Sequence, residues 1–166
     1  MDFWREYLDE MARLHVWIHA QSAPQLASLK LRLASRIAVV TLIDDKTKAA
    51  LLDGLARMPD RDRLCHGDFH PMNILGDMAQ PVVIDWPDAR RGDPAADVCR
   101  SYLLMRLHAE PLAEPYLEAY CRAGERSRET ITAWLPYIAA ARLTEDILGE
   151  ADHLLAMVRT QADHTP

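Results

Sequence analysis

Over residues 3–20 the apolar side chains of Trp4, Tyr7, Leu8, Met11, Leu14 and Ile18 recur every three or four positions, the stripe of an amphipathic helix laid on a core. Pro24 interrupts this pattern. It resumes over residues 26–40, although "IAVVTLI" is β-branched enough to mimic a strand. A third helix is expected from Asp44, an acidic residue suited to a helix N-terminus, to Met58. The pattern then changes: "RLCHGD" is short and bounded, while "NILG" and "PVVIDW" are apolar and β-branched with the turn residues "GDMAQ" between them. Residues 73–86 are therefore expected to form a small hairpin. After "GDP" at 92–94, with Pro94 suited to a first turn, helices are expected over 95–108, 112–123, 127 to about 148, and 150–159, with Pro115 and Pro136 at a helix start or kink. The expected fold is mainly α with a small β hairpin insertion, residues 1–166 forming a single domain.

Composition narrows the function classes. With 166 residues, 49% hydrophobic and 27% charged, the chain can bury a core and lacks the signature of disorder. Its 19 basic and 25 acidic residues leave a formal charge of −6. Arg61, Arg63, Arg90 and Arg91 are scattered with no aromatics interleaved, which speaks against nucleic acid as a partner. Cys65, Cys99 and Cys121 form no CxxC pair, so neither a disulfide framework nor a zinc knuckle is indicated and a reducing cytoplasm fits. "MDFWREYLDEMARLH" is charged every few residues, unlike a signal peptide, and no apolar run approaches the roughly 18 residues of a membrane span. A soluble, cytoplasmic protein without a membrane partner is expected.

The chemistry concentrates in "HGDFHPMNIL", His66 to Leu75. Its spacing is H-x-D-x-x-x-x-N, and Asp85, twelve residues after Asn73, closes the apolar run "VVID". Protein-kinase catalytic loops have this order: an aspartate accepts the proton of the attacking hydroxyl, and an asparagine and a later strand-end aspartate hold magnesium. Transfer of a γ-phosphoryl group needs an aligned nucleophile and neutralised charge, and Mg²⁺ needs hard oxygen ligands. On this reading Asp68 orients and deprotonates an acceptor hydroxyl, while Asn73 and Asp85 hold metal bound to nucleotide.

Together, "LCHGDFHPMNIL", "VVIDWPDARRGDPAADV" and "MARLHVWIHA" resemble the C-terminal lobe of the aminoglycoside phosphotransferase and choline kinase-like family, whose fold is protein-kinase-like (α+β). The resemblance implies Asp68 as catalytic base, Asn73 and Asp85 as magnesium ligands, and Asp97 as a buried brace on the loop backbone. His66 would be structural and His70 would shape the loop. It further implies ATP or another nucleoside triphosphate with Mg²⁺, and a small-molecule hydroxyl substrate. The family's glycine loop and phosphate lysine have no counterpart: the six glycines are dispersed, and Lys30, Lys46 and Lys48 lie in a helical region. These parts are expected in an N-terminal lobe preceding Met1, so a separate lobe or a second copy of the chain is a candidate partner.

Plainer readings compete. Asp and Asn cap turns and helices everywhere. His66, Asp68 and His70 alternate as zinc ligands on a strand would. His15 and His19 have chelating spacing, but a polar face with a core histidine is the simpler account. Glu145, Asp146, Glu150 and Asp152 could attract a cationic substrate, or form an ordinary solvated helix face. The chain as a whole could be a pseudokinase-like helical module that acts by protein binding.

Overall fold

The computed structural model describes residues 2–77 and 79–162. Helix α1 (Asp2–Ala20) turns Leu8, Met11, Ala12, His15 and Ile18 inward, the face set by its three-and-four spacing. It lies along α5 (Glu110–Gly124), which buries Tyr116, Leu117 and Tyr120. Helices α2 (Leu29–Val39) and α3 (Asp45–Arg57) start at side-chain caps: Ser28 accepts from the Leu31 amide, and Asp44 from the Thr47 amide, satisfying donors that a helix start leaves unpaired. Between α1 and α5 in sequence runs α4 (Pro94–His108), capped by Asp93 with Pro94 in its first turn. Nearly all of α4 is buried, as its weak amphipathicity requires. Residues packed away from water on all these elements form one continuous cluster.

Among the described residues four short strands interrupt the helices. β1 (Arg63–Cys65) pairs antiparallel with β4 (Arg90–Gly92), Leu64 opposite Arg91, and β2 (Ile74–Leu75) pairs with β3 (Val82–Val83), Ile74 opposite Val83. The β2–β3 ladder falls within the expected hairpin; the β1–β4 pair was not legible beforehand. The α1–α2 connection is bound to this pair through Leu64 N to Gln21 O (3.0 Å) and Arg91 N to Ala27 O (3.1 Å).

One expectation needs correction. Residues 127–148 do not form a single helix but split into α6 (Arg128–Thr132), α7 (Leu135–Arg142) and a 3₁₀ turn over Leu143–Glu145. The reason is Pro136: without an amide hydrogen it cannot continue an incoming helix, and it sits in the first turn of α7 instead. α8 (Ala151–Ala162) then packs on α7. Among the described residues no helix is long and apolar enough to cross a membrane.

Candidate active site

The loop leaving β1 is shaped by Gly67, whose φ is +86° and whose missing Cβ would lie 2.7 Å from the Asp88 carbonyl oxygen. Only glycine combines that backbone with that approach. His66 is fully buried. Its Nε2 lies 2.9 Å from the Ile84 carbonyl and its Nδ1 3.2 Å from the Asp68 amide. A carbonyl can only accept and an amide can only donate, so the ring is neutral with its proton on Nε2. A 3₁₀ turn over Pro71–Asn73 follows. Asn73 then donates through Nδ2 to the Asp68 carbonyl (2.9 Å) and to its carboxylate (3.3 Å), and its own carbonyl accepts from the Ile84 amide (3.0 Å).

Ile84 is thus clasped from both sides, which fixes the chain immediately before Asp85. Asp85 is exposed with φ of 64°, and its carboxylate makes no hydrogen bond or ion pair among the described residues. Asn73 Oδ1 likewise accepts none. Two hard oxygen donors are left available, which is the chemistry Mg²⁺ prefers.

Asp97, 1% exposed on the first turn of α4, holds the loop from below. One carboxylate oxygen accepts from the Gly67 amide at 2.8 Å; the other accepts from the His66 amide at 2.6 Å, His15 Nε2 at 3.0 Å and His19 Nε2 at 3.1 Å. The opposite ring nitrogens of the two histidines meet the Tyr116 hydroxyl (2.6 Å) and the Tyr120 hydroxyl (2.7 Å). Burial favours a protonated Asp97, but the hydrogen bonds from His15 and His19 prevail and hold its carboxyl well below the usual range. Burial, reinforced by His19, lowers His15 to about 3, so it is neutral. His15, His19 and Asp97 also form the single cluster among the described residues with metal-ligating geometry, yet all four ring nitrogens already have partners. They form a hydrogen-bonded bridge from α1 and α5 to the loop.

Asp68 is half-buried. A hydrogen bond from His70, whose Nε2 lies 3.4 Å from the carboxylate, outweighs burial and holds its carboxyl below the usual range, with the charge of Arg100 assisting. His66 and His70 therefore serve separate partners. The zinc arrangement of His66, Asp68 and His70 is not formed, since both His66 ring nitrogens face backbone groups.

Sequence reasoning missed the arginines behind the loop. Glu145 takes ion pairs from Arg36 (2.6 Å), Arg100 (3.0 Å) and Arg142, and Arg142 also donates to both oxygens of Glu150 at 2.8 Å. Arg142 is three positions from Glu145, but nothing in local spacing reveals the partners on α2 and α4, 109 and 45 positions away. Two of the three lysines are engaged elsewhere: Lys30 donates to the Ala56 and Met58 carbonyls, and Lys48 pairs with Asp45.

A helical body carrying an H-G-D-x-H-x-x-N loop, clasped to a hairpin and seated on a buried carboxylate, defines a kinase-like lobe. The model of the phosphotransferase enzyme family (APH) matches residues 2–134, and the chain belongs to that family. Among solved structures, a thermostable mutant of aminoglycoside phosphotransferase APH(4)-Ia in its apo form superposes with a TM-score of 0.54 at 23% identity. The match covers 81% of this chain and 53% of that one, so the chain spans about half that structure's length. At this identity the likeness establishes the fold. No curated protein matches the chain.

Proposed function

We propose that the chain contributes the catalytic lobe of a small-molecule phosphotransferase that moves the γ-phosphoryl group of ATP to a substrate hydroxyl. The observation that supports this reading is the Asp68–Asn73–Ile84 clasp, which ties the loop bearing Asp68 and the unpartnered Asn73 Oδ1 to the residue next to Asp85, whose carboxylate is also unpartnered. In the reaction the acceptor oxygen forms a bond to Pγ as the bond from Pγ to the bridging oxygen breaks, and that electron pair leaves with ADP. Asp68 aligns the hydroxyl and takes its proton, then returns it to solvent. A carboxylate held low by His70 is a weak base; it suits a loose transition state, in which the proton moves late and orientation supplies most of the benefit. Asn73 and Asp85 would hold Mg²⁺, which when bound neutralises phosphate charge. A separate N-terminal lobe or a second copy would cover the nucleotide. Three free cysteines agree with a cytoplasmic setting.

The absence from these 166 residues of a glycine loop and an available phosphate lysine favours one other reading, a non-catalytic module that keeps the loop as scaffold. Phosphorus NMR of the chain incubated with MgATP and a panel of hydroxyl compounds, with and without a nucleotide-binding lobe in trans, separates the two. A phosphate ester that disappears in Asp68→Asn supports transfer. No ester under either condition rejects it.

A further inference from the structure

Beside Asp68 opens a cavity of about 470 Å³, a size suited to a small molecule. Asp68 and His70 border it, and Met72, Leu104, Met105 and Leu112 contribute the apolar lining. Its charge pattern is distinctive. Arg142 lines the cavity with its guanidinium bound to Glu150 and Glu145, while His108, also in the lining, lies 2.8 Å from Glu150. Glu145 is shared further with Arg36 and Arg100. The acidic residues 145 and 150, which a cationic substrate would need, are therefore already neutralised from within. Asp146 and Asp152 are exposed and do not line the cavity, which leaves Asp68 as its single carboxylate among the described residues.

A polyamine entering this space would shed water from several charges and find one unpaired anion, since the nearby Glu145 and Glu150 are already held by Arg142. A neutral molecule would lose little and would gain contact with methionine and leucine side chains, of which methionine adapts to varied shapes. We propose that this cavity receives the acceptor and that the acceptor is an uncharged hydroxyl compound with an apolar body, not a polycationic sugar. This assignment rests on the phosphotransferase reading above and gives that site its substrate class.

The test uses the whole chain with carbon-13 labelled methionine methyl groups, without nucleotide. Octyl β-D-glucoside below its micelle concentration, glucose and kanamycin are titrated separately. Octyl glucoside should shift the Met72 and Met105 methyl signals saturably, and glucose and kanamycin should bind at least about tenfold more weakly. Ala109→Trp, which fills the cavity, should weaken octyl glucoside by at least about tenfold; Leu112→Lys serves the same purpose should the first variant fail to fold. Kanamycin binding as tightly as the glucoside, or a glucoside that leaves both methyl signals unmoved, overturns the assignment. Phosphate transfer, measured separately, keeps the two readings apart. A chain that binds the glucoside but phosphorylates nothing retains the cavity's preference and loses the catalytic reading, whereas phosphorylation of kanamycin alone retains catalysis and overturns the substrate class.

Discussion

Asp68 accepts the Asn73 amide and the His70 imidazole at once, so its orientation is fixed before any acceptor arrives. Asn at position 68 keeps the shape and loses the proton acceptor. Asp68→Asn in a transfer-competent assembly should lower turnover by at least about a hundredfold, with a melting temperature close to the parent's; unchanged turnover would dismiss Asp68 as the base. Gly67 answers to sterics alone. Gly67→Ala must fit a methyl group 2.7 Å from the Asp88 carbonyl oxygen at positive φ, so urea unfolding should show a loss of about 1–3 kcal/mol. These residues were legible in the sequence because the spacing of the loop is itself the constraint. Asp85 was legible as a residue, but its left-handed backbone and free carboxylate were not, since both depend on how Ile84 is clasped.

At the scale of elements, Asp97 ties the start of α4 to α1 and, through two tyrosines, to α5. Asp97→Ala strands four donors in the interior and should cost at least about 3 kcal/mol by chemical denaturation. His15 gives the same bridge a pH signature. Its pKa is 6.5 when free and about 3 when folded, so between those values the unfolded chain binds more protons and stability declines as pH falls. Asp97, held low, withdraws its own contribution below its unfolded value of about 3.9. The melting temperature should therefore drop steadily below about pH 6.5. His15→Gln, which retains a donor toward Asp97 but cannot titrate, should show a shallower decline over that range; an equal slope would assign the pH dependence to other groups. Helix periodicity made α1, α2, α3 and α5 readable and "GDP" announced the start of α4, whereas β4 was hidden because "RRG" carries no apolar signal and its partner lies far away in sequence. The tyrosines of the bridge were invisible for a similar reason: His15 and Tyr116 are 101 positions apart.

For the molecule as a whole, the braced loop and the cavity beside it are present, while the 166 residues offer no glycine loop and Lys30 and Lys48 are engaged with other groups. Without those contacts, a triphosphate bound as proposed would be held from one side. Isothermal titration of the chain with MgATP should give a dissociation constant of roughly 1 mM or weaker; a tight, magnesium-dependent complex would show that other groups grip the phosphates. The helical body and the loop motif could both be read from residue pattern. The charge state of the cavity could not, because charged side chains read as solvated surface until their partners are known.

Glu145 gives that cavity a point of failure. Arg36, Arg100 and Arg142 arrive from three helices and converge on this one side chain, like spokes held by a single pin. Neutralise it, as Glu145→Gln does, and Arg36 and Arg100 lose their shared anion while Arg142 keeps only Glu150: the junction of α2, α4 and α7 would loosen, and the cavity wall at Arg142 would shift through damage to a residue that does not line it.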